Sequence, residues 1–163
     1  MMKTYLFDWG DTLMVDFPQA LGKMCDWQIV EAVEGAKETL AFLSQKTPIY
    51  IATNAVDSSE REIQLAFERV GLAQYITGYF CKANLGVGKE SSDYFIAILE
   101  KLKLGSGQII MVGDTLDKDI LPAQKLGIEV IWFNKEAKPH QCEASITQIC
   151  ELTELCRLFE RSE

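Results

Sequence analysis

The sequence predicts an α/β fold: a doubly wound, mainly parallel sheet with helices on both faces. Two observations predict it. Short apolar runs alternate along the chain with amphipathic helical patterns, and most of these runs lack the polar alternation of a half-exposed strand. The chain has 163 residues, 48% hydrophobic and 25% charged, which is the composition of a globular domain rather than of a disordered segment.

Five apolar runs of four residues each are the strand candidates. Helix-length segments separate most of them, so consecutive strands are expected to run parallel through crossover connections. Most of the runs are continuously apolar, as expected for strands that helices cover on both faces. The candidates are residues 4–7, 49–52, 78–81, 109–112 and 130–133.

Amphipathic segments between and after these runs are the helix candidates. Ile63, Ala66, Phe67 and Val70 follow the spacing of one helix face. The polar residues at 57–60 supply a capping start for this helix, and Gly71 supplies a stop. Helices are therefore predicted around 34–45, between 57–60 and Gly71, over 91–102 and near 146–159.

Composition excludes several functional classes. The 16 Lys and Arg against 24 Asp and Glu give a net charge of −8, which repels phosphate backbones and argues against nucleic-acid binding. No apolar run can span a membrane, and Asp8 leaves no room for a signal peptide's apolar region, so a cytoplasmic protein is expected. The five cysteines lack Cys-x-x-Cys spacing and are expected to be reduced thiols.

Acidic residues at the ends of predicted strands indicate a metal site. Asp8 and Asp114 each follow an apolar run, and Asp119 lies five residues after Asp114. The carboxyl ends of parallel strands meet in one crevice, where converging carboxylates repel each other unless a hard cation lies between them. Oxygen ligands with no His or Cys nearby select Mg²⁺ over zinc. Mg²⁺ is therefore the predicted cofactor.

Other polar residues are predicted at the same edge. Lys89 precedes the helix at 91–102 and would balance the remaining negative charge. Thr53 and Asn54 follow the second strand and, with backbone N–H groups of the first loop, could receive anionic oxygens. A carboxylate nucleophile, a metal, a cation and an oxyanion cradle are the components of phosphoryl chemistry.

Four segments in order carry a resemblance to a known family. They are FDWGDTL at 7–13, IATN at 51–54, GKESSDYF at 88–95 and VGDTLDKDI at 112–120. Each is weak alone, but four in order at the expected strand ends are specific. Over about residues 3–133 the chain resembles the haloacid dehalogenase (HAD) superfamily of phosphohydrolases, which implies a Rossmann-like core.

The resemblance implies a role for each matching residue. Asp8 is expected to be the nucleophile that forms an aspartyl-phosphate, and Lys89 to stabilise charge on it and on the phosphoryl group. Thr53 is expected to bind that group; Asn54 beside it is a candidate substrate contact from its position at the strand end, not from the resemblance. The implied metal ligands are Asp8, the backbone carbonyl of Gly10, Asp114, and Asp119 directly or through water.

Gly10 departs from the family pattern. Family phosphatases usually carry a second Asp there, followed by Gly and Thr, and this acid protonates the leaving group and then activates water. Here Asp11 follows Gly10, as if the two were exchanged. Loss of a general acid/base typically costs about 10²–10⁴ in rate. Either Asp11 is a displaced acid/base, or it accepts loop hydrogen bonds and the protein uses good leaving groups or holds phosphate without fast turnover.

A single domain over residues 1–163 with no large cap is predicted. Family specificity usually comes from a cap inserted after the first or second motif, and the segments 14–48 and 55–88 are too short for one. Residues 14–33 are a candidate small lid, or else a packing loop.

Three functions fit the sequence. The first is a Mg²⁺-dependent phosphohydrolase that acts through phosphorylated Asp8 on a small-molecule or protein phosphate. The second is a catalytically weak or inactive phosphate- or partner-binding module on the same fold. The third is a dehalogenase or phosphonatase, which is disfavoured because both depend on cap residues.

Overall fold

A six-stranded parallel sheet forms the centre of the computed structural model, which describes residues 2–139 and 146–163. The strand order is β3-β2-β1-β4-β5-β6, and every pairing is parallel. The strands are β1 (Thr4–Phe7), β2 (Ile49–Ala52), β3 (Gly78–Phe80), β4 (Ile109–Gly113), β5 (Glu129–Phe133) and β6 (Thr147–Ile149). The chain winds from β1 outward in both directions, which confirms the doubly wound α/β fold.

In the described part of the chain, six α-helices surround this sheet. They are α1 (Ala36–Ser44), α2 (Glu60–Arg69), α3 (Lys82–Leu85), α4 (Tyr94–Leu102), α5 (Leu121–Lys125) and α6 (Glu154–Ser162). The predicted start of α2 is confirmed: the Ser59 hydroxyl accepts from the Glu62 N–H, and the Glu62 carboxylate accepts from the Ser59 N–H. Short 3₁₀ turns lie at Met24–Asp26, Ala73–Tyr75 and Ser106–Gln108, and a π-helical turn lies at Leu116–Ile120.

Two hydrophobic cores lie on opposite faces of the sheet. Successive strand residues point to opposite faces, so Phe7 packs with α1 and α2 while Leu6 packs with α4 and α5. Both side chains are completely buried. This two-sided burial is the reason the strands are continuously apolar.

The predicted last helix is wrong at its start. Residues 147–149 form β6, which pairs with Ile131–Phe133 of β5, and α6 begins only at Glu154. Ile149, assigned by its spacing to a helical stripe, is a buried strand residue whose carbonyl accepts from the Asn134 N–H. The pairing partner is the edge of β5, which lies outside the segment itself and about 16 positions earlier in the chain. Residues 140–143 of the predicted loop 134–143, which include Cys142, lie outside the described residues.

The central position of β1 determines where the site lies. Phe7 is in register with Ile51 of β2 and with Val112 of β4, so the residues that follow these three strands meet at one edge. The Asp8 N–H donates to the Val112 carbonyl at 2.9 Å, which ties the first loop to the end of β4. The predicted crevice therefore exists at the carboxyl edge of the sheet.

Residues 14–33 cross the protein beside this edge. The Val15 N–H donates to the Glu31 carbonyl at 2.8 Å, which closes the segment into a loop. The Arg69 guanidinium of α2 donates to the carbonyls of Cys25, Trp27 and Gln28. That this segment acts as a lid, and that the chain lacks a large cap, stay predictions. Within the described residues, no helix is long and apolar enough to cross a membrane.

Candidate active site

Three carboxylates converge at the carboxyl edge of the sheet. Asp8 follows β1, Asp114 follows β4, and Asp119 lies in the π-helical turn. One oxygen from each lies within 4.8 Å of the others. Strand register brings Asp8 and Asp114 together, and the π-helical turn brings Asp119 back over the end of β4.

A buried ammonium joins two of these carboxylates. Lys89 Nζ lies 2.7 Å from Asp8 Oδ1 and 2.7 Å from Asp119 Oδ1, and the Lys89 side chain is 2% exposed. Burial by itself would lower the pKa of Lys89, but the charges of Asp8 and Asp119 outweigh it and raise that pKa. Lys89 therefore stays a cation across the physiological pH range.

Thr12 lies between the carboxylates of Asp8 and Asp114, a role that was not predicted from the sequence. Its hydroxyl lies 3.2 Å from Asp8 Oδ2 and 3.3 Å from Asp114 Oδ1, and the residue is completely buried. Its position in the first motif, as a polar residue beside an apolar run, was the available signal. A single hydroxyl proton can be donated to only one of the two carboxylates at a time.

The acidic residues are crowded beyond what one lysine balances. Burial, the hydrogen bond with Asp8 and the nearby negative charges raise the pKa of Asp114 far above its usual range. Burial and the charge of Asp8 also raise the pKa of Asp119, against the opposing effect of Lys89. The cluster therefore favours an additional positive charge. The described residues of the cluster are all carboxylates, with no His or Cys among them. Oxygen ligands of this kind fit a hard divalent cation, so a metal site is consistent with this geometry.

Gly113 leaves the space in which Asp119 lies. A Cβ atom on Gly113 would lie 2.5 Å from Asp119 Cβ and 2.5 Å from Asp119 Oδ2, closer than any tolerated contact. The Thr115 N–H also donates to Asp119 Oδ2 at 3.2 Å. The last residue of β4 therefore has to be glycine for the Asp119 carboxylate to reach Lys89.

We expect Gly113→Ala to displace Asp119 and to lower the free energy of unfolding by about 1–3 kcal/mol, as overpacking typically does. Displacing Asp119 also removes one oxygen from the cluster, so divalent-cation binding should weaken in a calorimetric titration. Gly107→Ala is the matched control, because a Cβ there meets no atom within 4 Å. Equal urea midpoints and equal Mg²⁺ affinities for the two variants would contradict this expectation.

Thr53 and Asn54 lie beside the carboxylates at the end of β2. Thr53 Oγ1 accepts from the Ala55 N–H at 3.1 Å, so its hydroxyl proton remains available to a substrate. Asn54 Oδ1 accepts from the Lys89 N–H at 2.8 Å, so its amide NH₂ remains available. The structure brings both residues, predicted as substrate contacts, to the wall of the same cavity as Asp8.

Gly10 and Asp11 form a tight turn after β1. Asp11 has φ of 58°, in the left-handed region where glycine is favoured, whereas Gly10 does not require such a conformation. Asp11 Oδ1 accepts from the Asp16 N–H at 3.0 Å, and the Asp11 N–H donates to the Met14 carbonyl at 2.7 Å. The Asp11 side chain thus accepts a loop hydrogen bond, the second of its two expected roles.

Asp16 is an acidic residue of this cavity that was not among the predicted site residues. Its carboxylate faces Gly10: a Cβ on Gly10 would lie 3.5 Å from Asp16 Oδ2. Partial burial, then the charges of Asp11 and Asp8, raise the pKa of Asp16. No sequence signal distinguished Asp16 from an ordinary turn residue, because the contact depends on how the loop folds back.

An open cavity of about 350 Å³ contains all of the predicted site residues. Asp8, Lys89 and the two other acids of the cluster line it. Met24 and Trp27 of the segment 14–33 line its wall. This segment therefore contributes directly to the surface that a bound molecule would touch.

Comparison with known proteins gives the family. A profile of the haloacid dehalogenase-like hydrolases matches residues 10–127. Ribulose-1,5-bisphosphate 5-phosphatase of Halopiger xanaduensis is 33% identical over 137 residues, which cover 76% of this chain and 56% of that protein. The chain spans about half the length of the curated relatives it matches.

Solved structures share the fold. A protein of Listeria monocytogenes serotype 4b has a TM-score of 0.84 at 20% identity, and the match covers 98% of each chain. The HAD-hydrolase YfnB of Bacillus subtilis, solved bound to magnesium, has a TM-score of 0.78 at 18% identity, with 96% of this chain and 98% of that one covered. At such identities these matches support the α/β architecture. The family match over most of the chain shows that the protein belongs to the haloacid dehalogenase-like hydrolases.

Proposed function

We propose that this chain is a Mg²⁺-dependent phosphohydrolase that acts on a phosphorylated small molecule through an aspartyl-phosphate on Asp8. One observation carries the proposal: the Asp8 carboxylate lines an open cavity, against the buried Lys89 ammonium and beside two further acids. The phosphatase activity of the Halopiger xanaduensis relative supports the substrate class.

The reaction would take place in two displacements. An Asp8 carboxylate oxygen attacks phosphorus as the bond to the ester oxygen breaks, and that oxygen takes up a proton from a neighbouring acid or from solvent water, so that an alcohol leaves. Water then attacks the phosphorus of the aspartyl-phosphate, the bond to Asp8 breaks, and inorganic phosphate leaves. Each step reuses the same carboxylate, so the difficult direct attack of water on a monoester is divided into two easier steps.

The residues around Asp8 would hold the phosphoryl group. The Thr53 hydroxyl and the Asn54 amide each keep a donor available for phosphoryl oxygens. Lys89 would offset the negative charges of Asp8 and the phosphoryl group. Its ammonium is buried and largely shielded from water, which strengthens this electrostatic interaction. The two donors and the cation thereby orient the phosphorus toward the Asp8 oxygen.

Asp8, Asp114, Asp119 and the Gly10 carbonyl would hold the Mg²⁺. When bound, the ion would supply positive charge that offsets the negative charge of the reacting oxygens. The proposal is supported by the raised pKa of Asp114 and of Asp119, because such carboxylates are short of a neighbouring cation.

A second function is favoured by a specific observation, the absence of a side chain at Gly10. If no other residue moves protons, the protein would form or bind a phosphoryl adduct without continuing turnover.

The test is incubation with p-nitrophenyl phosphate and Mg²⁺, with EDTA as the control. Continuing release of nitrophenol in Mg²⁺ alone supports the phosphohydrolase, a single stoichiometric burst indicates a trapped aspartyl-phosphate, and no reaction favours the binding module.

We expect Mg²⁺ to stabilise the protein more at pH 8 than at pH 5. A raised pKa means that the native state holds protons that the unfolded state has lost, so stability falls as pH rises from about 4, the usual carboxyl pKa, through the native values. Bound Mg²⁺ removes this loss, and a site at 100 times its Kd adds about 2.7 kcal/mol. Thermal midpoints in EDTA and in Mg²⁺ at both pH values measure the effect. A Mg²⁺ shift that persists in Asp114→Asn would contradict the assignment.

A further inference from the structure

A proton-transfer group must exist near Gly10 if the protein turns over esters with poor leaving groups. Gly10 has no proton to donate, and the Asp11 carboxylate already accepts from the Asp16 N–H. Asp114 and Asp119 belong to the proposed metal cluster. Among the described residues of the cavity, Asp16 and Asp57 are the acids that remain.

The Asp16 side chain adjoins the space that a side chain at position 10 would enter. A Cβ on Gly10 would lie 3.5 Å from both Asp16 Cβ and Asp16 Oδ2, and 3.8 Å from Asp16 Cγ. These are ordinary van der Waals distances, so the two positions are immediate neighbours. The Asp16 carboxylate therefore lines the cavity immediately beside position 10, two residues after the proposed nucleophile.

The loop holds Asp16 in this place. The Asp16 N–H donates to Asp11 Oδ1, and the preceding residue, Val15, donates its N–H to the Glu31 carbonyl. Within the described residues the Asp16 carboxylate itself has no salt bridge and accepts no hydrogen bond in the structure. The backbone is anchored while the carboxylate stays free to exchange a proton with a ligand.

We propose that Asp16 is the general acid and base of this enzyme, in place of the side chain that Gly10 lacks. In the first step Asp16 gives its proton to the ester oxygen as the bond from that oxygen to phosphorus breaks. In the second step the Asp16 carboxylate takes a proton from the water that attacks the aspartyl-phosphate, so Asp16 ends protonated as it began. Asp11 is a positioning residue, which acts through the Asp16 backbone. This inference rests on the proposed phosphohydrolase function.

The test compares Asp16→Asn with Asp57→Asn, an exposed acid of the same cavity. With glycerol 2-phosphate, whose leaving group needs a proton, we expect Asp16→Asn to lower kcat by about 10²–10⁴ and Asp57→Asn to leave it unchanged. With p-nitrophenyl phosphate, rapid-quench measurement of Asp16→Asn should show a burst of nitrophenol, because hydrolysis of the aspartyl-phosphate becomes slow. Asp16 is exposed and is repelled by the charges of Asp11 and Asp8, so the thermal midpoint of Asp16→Asn should match or slightly exceed that of the wild type.

Two further variants exclude a merely structural role. The double variant Asp16→Asn with Gly10→Asp should have a kcat at least about tenfold higher than that of Asp16→Asn alone, within the usual range of general acid/base effects. Asp11→Asn keeps an oxygen that can accept from the Asp16 N–H, so we expect it to lower kcat less than Asp16→Asn does.

Several results would overturn the assignment. One is equal activity of Asp16→Asn and Asp57→Asn in a protein whose turnover depends on Asp8, which removes the role of Asp16 but leaves the proposed function standing. Another is a loss in Asp11→Asn that Asp16→Asn lacks, which assigns the proton transfer to Asp11. Wild-type protein that shows only a burst also contradicts it. Turnover that survives in Asp8→Asn overturns the proposed function instead.

Discussion

The Asp8→Asn variant is expected to lose turnover of p-nitrophenyl phosphate by about 10⁴-fold or more, the range seen when a catalytic nucleophile is removed. The amide oxygen of asparagine is a far weaker nucleophile than a carboxylate oxygen. No other carboxylate among the described residues combines contact with the Lys89 ammonium and a position directly after the central strand. The measurement is steady-state nitrophenol release in Mg²⁺ at several enzyme concentrations.

The structure allows this variant to fold. Asparagine has the same shape as aspartate, and its Oδ1 can still accept from Lys89 Nζ, which Asp119 also holds. Removing one of three crowded carboxylates also relieves repulsion with Asp114. Circular dichroism and the thermal midpoint in EDTA should therefore match or exceed those of the wild type. Loss of a general acid or base alone typically costs about 10²–10⁴ in rate, and loss of the nucleophile should cost more. Turnover of a folded variant within about tenfold of the wild type would therefore mean that the nucleophile is another residue.

The Lys89→Met variant is expected to lose both stability and activity. Methionine fills most of the volume of the lysine stem but leaves Asp8 and Asp119 without their shared cation. Breaking a buried ion pair by removing one partner typically costs about 3–5 kcal/mol, and removing a group that stabilises developing charge typically costs about 10²–10³ in kcat. Urea unfolding in EDTA measures the first loss, and nitrophenol release in Mg²⁺ measures the second.

The Lys3→Met variant is the matched control for this prediction. Lys3 also pairs with an acid, Glu129, but the two side chains are 39% and 50% exposed. Such a surface pair contributes about 0–1 kcal/mol. Mg²⁺ should restore part of the stability of Lys89→Met, because it neutralises the same carboxylates, without restoring its turnover. If the two variants lose equal stability in EDTA, the buried cation does not have the structural role inferred here.

Much of the fold was predictable because its signals are local. The strands β1 and β2 begin and end where the apolar runs do, and β3, β4 and β5 differ from their predicted bounds by one residue each. The capping residues at the start of α2 could be predicted for the same reason, because Ser59 and Glu62 lie within one helical turn of each other. Burial of a strand on both faces imposes its pattern directly on neighbouring residues in the sequence.

The edge strand β6 was not predictable from the same signals. Residues 147–149 are only three long, and the spacing of Ile149 with Leu152 also suits a helix face. The hydrogen bonds that make this segment a strand come from β5, so the competing helical reading fails for a reason that lies outside the segment. Short sequences at a sheet edge adopt the structure that their partner strand offers.

The residues themselves specified which polar groups could meet, because polar residues after parallel strands share one edge of the sheet. That reasoning predicted that Asp8, Thr53 and Asp114 lie together, whereas Lys89 was predicted there from its place before a helix and from its charge. Only the folded chain could decide that Thr12 touches two carboxylates and that Asp16 faces Gly10. Those contacts depend on the path of a loop whose turn is held by the Asp11 carboxylate and by the Glu31 carbonyl. Loop paths depend on individual side-chain and backbone hydrogen bonds such as these, which no periodic pattern in a sequence records.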